Sequence, residues 1–301
     1  MTFTFTAPNF LPLAGIRIFS LALNLPGPAA LMRCHRLGAV CVKLEPPGGD
    51  PMRQYSPAAY AELHAGITRL QADLKSSAGQ ALLQRELAEA DVLITSFRPA
   101  ALAKLGLTWQ ALHQQYPHLS QIAIVGAPGD RADEAGHDLT YLAQSGLVAG
   151  LELPATLYAD MAGSLMASDA VLQSVMHQRS QRESQHEGGV YLEVALSSAA
   201  SYLALPRVWG LSQPGAAVGG GHAGYRVYRC QDGRVALAAL EPHFSLRLCA
   251  VADIEAGGNV MQTMLEPATH VAVAAFFANR TRQEIDALAA KNDIPLHTLP
   301  A

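Results

Sequence analysis

Three residues of this chain have side-chain types and settings suited to moving a proton or an acyl group. His137 lies in Gly136-His137-Asp138, at the head of the apolar, helix-like run Leu139-Thr140-Tyr141-Leu142-Ala143. An imidazole there can take or give a proton near neutral pH. Asp138 beside it is equally suited to capping that helix. Asp160 lies in Leu157-Tyr158-Ala159-Asp160-Met161-Ala162-Gly163, a carboxylate among apolar and small residues. Burial raises a carboxyl pKa and readies the group for proton transfer or nucleophilic attack; the same aspartate could instead be the N-cap of a helix that starts at Met161. Glu241 follows an apolar run and precedes Pro242. It could orient a catalytic imidazole, or it could be a loop carboxylate.

Such groups must be held by a scaffold, and the first half of the chain supplies a regular one. Residues 15–21, 39–44, 91–95 and 121–125 are short apolar runs that read as buried strands. Between them, residues 28–37, 80–90 and 109–116 carry helical spacing; Leu82, Leu83 and Leu87 share one face, with Arg85, Glu86 and Glu89 elsewhere. Strands separated by helices imply βαβ units and a mostly parallel sheet. Residues 160–178 form a long helical pattern rich in Ala and Met, and residues 190–196 read as a further strand. From Pro206 to Gly224 the glycines and prolines break all periodicity. Residues 225–229 and 234–239 then read as paired strands around the turn Gln231-Asp232-Gly233, with helices expected to the end. The expected fold is therefore α/β: a large Rossmann-like domain over residues 1–209, a linker over 210–224 and a smaller α+β domain over 225–301.

The totals exclude several classes. Half of the 301 residues are hydrophobic and the net charge is −4, without the clustered cations of a nucleic-acid footprint. No stretch reaches the roughly 18 uninterrupted apolar residues of a membrane span, and no secretory leader is visible at the start. A cytoplasmic protein is expected. Cys34, Cys41, Cys230 and Cys249 form no CxxC or Cys/His pattern, so no metal site and no prosthetic group is expected. There is no Walker loop, no GxSxG elbow and no GxGxxG after a strand; Gly219-Gly220-Gly221 reads as a flexible joint rather than a phosphate cradle.

Several segments, taken in order, resemble class III CoA-transferases, and within them the α-methylacyl-CoA racemase branch. They are Leu13-Ala14-Gly15-Ile16-Arg17 with Pro26-Gly27-Pro28; the run from Leu37 to Pro51, reading LGAVCVKLEPPGGDP; the run from Ala90 to Gly106, reading ADVLITSFRPAALAKLG; the run from Gly136 to Gly146, reading GHDLTYLAQSG; Ala159-Asp160-Met161-Ala162-Gly163; and Leu240-Glu241-Pro242-His243-Phe244. The resemblance covers roughly residues 11 to 299.

The resemblance implies a homodimer with interlocking chains and coenzyme A as part of an acyl-CoA substrate. It places CoA against the large domain near Arg98, Lys104 and Lys75, with Phe97 and Lys43 also in the binding surface. In transferases the aspartate matching Asp160 carries the acyl group; in racemases that aspartate and the histidine matching His137 flank the α-carbon, with Glu241 setting the His137 tautomer. Amides at a helix start near Met161 would stabilise an enolate. Met161, Met166 and Met176 would be core or a pliable acyl surface, core packing being the expected role for most of them.

The chain departs from the family at three places. A basic stretch resembling Asn-Arg-Gly-Lys-Arg is replaced by Leu63-His64-Ala65-Gly66-Ile67-Thr68-Arg69, and Gly-Phe-Gly by Gly126-Ala127-Pro128-Gly129. The C-terminal segment that returns to the large domain is expected to be missing after Ala301. Three readings follow: a 2-methylacyl-CoA racemase using His137 and Asp160, a CoA-transferase using Asp160 as nucleophile, and a non-catalytic paralogue that binds CoA weakly or pairs with a longer homologue.

Overall fold

The computed structural model describes residues 10–183 and 188–301. The chain divides into two compact units between Ala204 and Leu205, ahead of the glycine-rich stretch.

The first unit is built on a parallel sheet of β1 (Arg17–Ser20), β2 (Val40–Glu45), β3 (Thr68–Gln71), β4 (Val92–Thr95), β5 (Ser120–Val125) and β6 (Tyr191–Ala195). Their order is β3-β2-β1-β4-β5-β6, all pairs parallel. The connecting helices are α1 (Pro26–Arg36), α2 (Met52–Tyr55), α3 (Pro57–Leu63), α4 (Ser77–Glu89), α5 (Pro99–Lys104), α6 (Trp109–Gln115), α7 (Asp138–Gln144), α8 (Tyr158–Glu183) and α9 (Leu196–Leu203).

Strand residues alternate between two cores, as the pleat dictates. Ile18, Ile94, Ile122, Ile124 and Val194 pack with Leu31 and Cys34 of α1 and Val171 and Val175 of α8. Phe19, Val42, Leu44 and Leu93 face the other way, onto Leu83, Leu87, Leu102 and Leu112. A strand buried on both faces reads as one continuous apolar run, and that is why these strands were visible in sequence. The exception is β3, Thr-Arg-Leu-Gln, a largely exposed edge strand that the hydrophobic pattern misses.

The second unit begins with α10 (Leu205–Val208). Its antiparallel sheet is ordered β7-β8-β9 (Tyr225–Cys230, Gly233–Ala238 and Leu296–Pro300). Helices α11 (Pro242–Val251), α12 (Val260–Thr263), α13 (Pro267–Ala278) and α14 (Arg282–Asn292) lie between β8 and β9 in sequence. Val235, Leu237, Leu248, Val273, Phe277 and Ile285 form their common core. The expectation of helices to the C-terminus is corrected: the chain ends in β9, whose short Leu-His-Thr-Leu-Pro run gives little alternation to read.

Candidate active site

The strand order 3-2-1-4-5-6 reverses direction between β1 and β4. In open parallel sheets a crevice opens beyond the strand C-termini at such a point. Here Leu23, Asn24 and Pro26 follow β1, while Ser96, Phe97 and Arg98 follow β4, and all six line a cleft of about 510 Å³. Ser96 ties the two loops together, its hydroxyl accepting the Leu23 N–H at 3.1 Å. A volume of this size lies within the usual range for small-molecule sites.

Two helix starts bring chemistry into the cleft. His137 is the extended residue ahead of α7, and its N–H donates to the Thr140 hydroxyl at 3.0 Å. Asp160 sits in the first turn of α8, which starts at Tyr158, so it is not the helix cap. Both line the cleft, with Asp138, Tyr141 and Tyr55. Asp138 is buried, and its Oδ1 accepts the Asp160 backbone N–H at 3.0 Å. That amide is one of the donors a helix start leaves unpaired, and an anion is favoured there.

The electrostatics follow from this packing. The Asp160 carboxyl is pushed up to about 6, first by burial and then by the Asp138 charge, with His137 opposing. Tyr141 and Tyr55 are raised chiefly by their own burial, with Asp160 contributing to both. The cleft therefore holds a carboxyl that exchanges its proton near neutrality beside an imidazole, walled by two phenols. Such a pair can pass protons at a carbon acid, or the carboxylate can attack an acyl carbon.

Sequence reasoning brought His137 and Asp160 together, and the structure does the same. It missed Asn24 and Tyr55, whose hydroxyl donates to Asn24 Oδ1 at 2.6 Å. The one available signal was Asn24 itself, since it adopts a left-handed φ of 64°, which asparagine tolerates. It also weighed Asp138 only as a cap of its own helix, whereas the carboxylate caps α8. The enolate donors expected at Met161 are engaged: its N–H donates to Leu157 O at 3.1 Å. Met161, Met166 and Met176 are exposed and do not pack in the core.

The expected CoA-binding residues divide. Phe97 and Arg98 line the cleft. Lys104 and Lys75 are exposed, on α5 and before α4, and neither lines it. Lys43 requires correction. Its side chain is fully buried, with Nζ 2.5 Å from Asp50 Oδ2, 3.3 Å from Glu45 Oε1 and 2.8 Å from His64 Nε2. An ammonium with three acceptors inside the fold has no hydrogen left for a phosphate. Glu45, Asp50 and His64 lie close enough to hold a metal ion, and Lys43 stands among them as their cation. Asp50 in turn accepts the Asn24 N–H at 3.1 Å, so this network supports a wall of the cleft. Arg69, the one charge kept in the altered basic stretch, donates to the Tyr60 hydroxyl at 3.2 Å. Glu241 lies in the second unit, immediately before α11.

The model of CoA-transferase family III matches residues 13–300. This chain belongs to CoA-transferase family III. It is 30% identical over 271 residues to a succinate–glutarate CoA-transferase of Agrobacterium fabrum, covering 81% of this chain and 67% of that protein. It is 29% identical over 249 residues to human α-methylacyl-CoA racemase, covering 77% of this chain and 62% of that enzyme. The family III chain thus spans about two thirds of the length of these two relatives. Its fold is similar to that of a hypothetical protein from Mycobacterium tuberculosis, with a TM-score of 0.82 at 21% identity over 97% of this chain and 86% of that one. A CAIB/BAIF family protein from Brucella suis gives 0.77 at 23% identity, over 97% and 85%. No described helix is long and apolar enough to cross a membrane.

Proposed function

We propose that the chain acts on an acyl-CoA thioester in the cleft at the β1/β4 crevice, and that its reaction is proton transfer at C2 of a 2-methylacyl-CoA. The observation that carries this is the pairing of Asp160, with a pKa near 6, and His137 in one cleft. A thioester acidifies its α-proton only modestly. One group must remove it and another must return a proton from the opposite face. Asp160 is able to hold or release a proton near neutral pH, His137 is the imidazole that shares its cleft, and Tyr141 is the neighbouring hydroxyl able to face an enolate oxygen. Arg98, with Lys104 and Lys75, is assigned to the CoA phosphates; Phe97 lies beside Arg98 in the cleft wall.

A second reading is CoA transfer through an acyl group carried on Asp160. It is favoured by the names of relatives such as the Agrobacterium fabrum succinate–glutarate CoA-transferase, and a partly desolvated carboxylate is a better nucleophile than a hydrated one. In either reading we take the working form to be a cytoplasmic homodimer. The exposed apolar side chains of Tyr158, Met161, Leu165 and Met166 on α8 support a partner-covered face.

The test is α-proton exchange. A 2-methylacyl-CoA is incubated with the protein in deuterated water, beside His137→Ala and Asp160→Ala. Deuterium at C2 that requires both residues supports racemisation. Exchange that is absent at millimolar substrate sinks it, and transfer of CoA to a free carboxylic acid with release of the original acid, abolished by Asp160→Ala alone, would establish the second reading.

A further inference from the structure

A second pocket opens in the first unit on the far side of Phe97. It has about 270 Å³ and shares Phe97 and Val125 with the cleft. Phe97, Leu102, Leu107, Trp109 and Tyr191 give it an apolar and aromatic lining. The indole of Trp109 is stacked on His113 with ring centroids 4.7 Å apart, and the Tyr191 ring lies 6.0 Å from it. Gln121 is the one strongly polar buried side chain in this lining. It is 1% exposed, its Oε1 has no hydrogen-bond partner, and it stands directly beside Tyr191 in the β5–β6 register.

A buried carbonyl oxygen without a partner costs roughly 1–3 kcal/mol unless something satisfies it. A glutamine amide presents a donor and an acceptor side by side, the pattern that pairs with the edge of an amino-substituted heterocycle. Aromatic walls favour a flat ring lying between them. The volume sits at the low end for ligand sites, which suits one ring system better than a chain.

We propose that this pocket binds a flat aromatic or heteroaromatic ring carrying a hydrogen-bonding edge, held by the Gln121 amide and stacked against Trp109 and Tyr191. The shared Phe97 wall makes the ring part of the molecule whose reactive end lies in the cleft, an assignment that rests on the proposed function. The ring is that of an aromatic acyl group: it adjoins the thioester in the neighbouring cleft, whereas the base of CoA lies at the far end of the molecule.

Trp109 is its own reporter, because the chain has two tryptophans and Trp209→Phe leaves Trp109 alone. Its fluorescence is titrated with CoA, with 4-aminobenzoyl-N-acetylcysteamine and with butyryl-N-acetylcysteamine, which has no ring. Saturable quenching by the aminobenzoyl thioester places the acyl ring in the pocket; CoA, whose one ring is its base, and the butyryl thioester are expected to leave the signal unchanged. Gln121→Leu, a nearly isosteric change at a side chain with no partner to lose, should weaken the quenching ligand about tenfold, the worth of one good hydrogen bond. Tyr191→Ala should do at least as much. No quenching by the aminobenzoyl thioester, equal quenching by CoA, or unchanged affinity in Gln121→Leu overturns the proposal. Asp160→Asn separates it from the functional reading: it should abolish turnover and leave the quenching intact.

Discussion

The carboxylate of Asp138 accepts the backbone N–H of Asp160 at 3.0 Å. One anion thereby caps the start of α8 and stands close enough to the Asp160 carboxyl to raise its pKa. Structure and tuning are joined in one contact.

Asp138→Asn separates the two. The amide oxygen still accepts the N–H, but the charge is gone, so the Asp160 pKa should fall from about 6 towards the ordinary carboxyl range. The acid limb of the pH–rate profile should move down with it. An unmoved limb would show that Asp160 is not the group that titrates. Asp138→Ala removes the cap as well and should cost about 1–2 kcal/mol of stability in urea unfolding.

Asp160→Asn should abolish activity and stabilise the fold above pH 6. The carboxyl pKa rises from the usual 3.8 to about 6 on folding. Between those values the folded state holds more protons than the unfolded one, so stability falls as pH rises through the window and stays lowered above it. Removing the charge should recover on the order of 1–2 kcal/mol at pH 7.5, after allowing for solvent screening, and nothing at pH 3. Melting temperatures at the two pH values check this; an equal shift at both would reject the electrostatic account.

Lys43→Met should destabilise the first unit by about 3–5 kcal/mol, because Asp50 and Glu45 would be left as buried anions without their cation. Burial holds the His64 pKa below its usual value, so the imidazole is a poor replacement cation. Adding Glu45→Gln and Asp50→Asn to Lys43→Met should restore part of the loss, as read by denaturant midpoint. No recovery would place the defect in packing.

Gly126→Ala should cost about 1–3 kcal/mol, since a Cβ there would run into the Tyr141 hydroxyl. In a Tyr141→Phe background that oxygen is absent, leaving the ring carbon at 3.3 Å, and the same alanine should cost clearly less. A double-mutant cycle measures the coupling; additive effects would mean that Tyr141 moves aside freely.

The sequence by itself determined the elements whose residues answer to one environment. Val92-Leu93-Ile94 and Ile122-Ala123-Ile124-Val125 are buried on both faces, so their types alone reveal central parallel strands. His137 and Asp160 were legible because a histidine and an aspartate beside apolar helix starts are unusual enough to ask for a reason. Tertiary structure decided everything that depends on a distant partner. β3, largely exposed, and β9, mostly half-buried, are edge strands whose pairing, not pattern, makes them strands. Lys43 reads as a free cation until Asp50 and His64, seven and twenty-one residues on, fold around its ammonium. Asp138 reads as the cap of its own helix until α8 arrives twenty-two residues later to take its carboxylate. A residue's type states which bonds it can make, and only the packed chain settles which partner is there to make them.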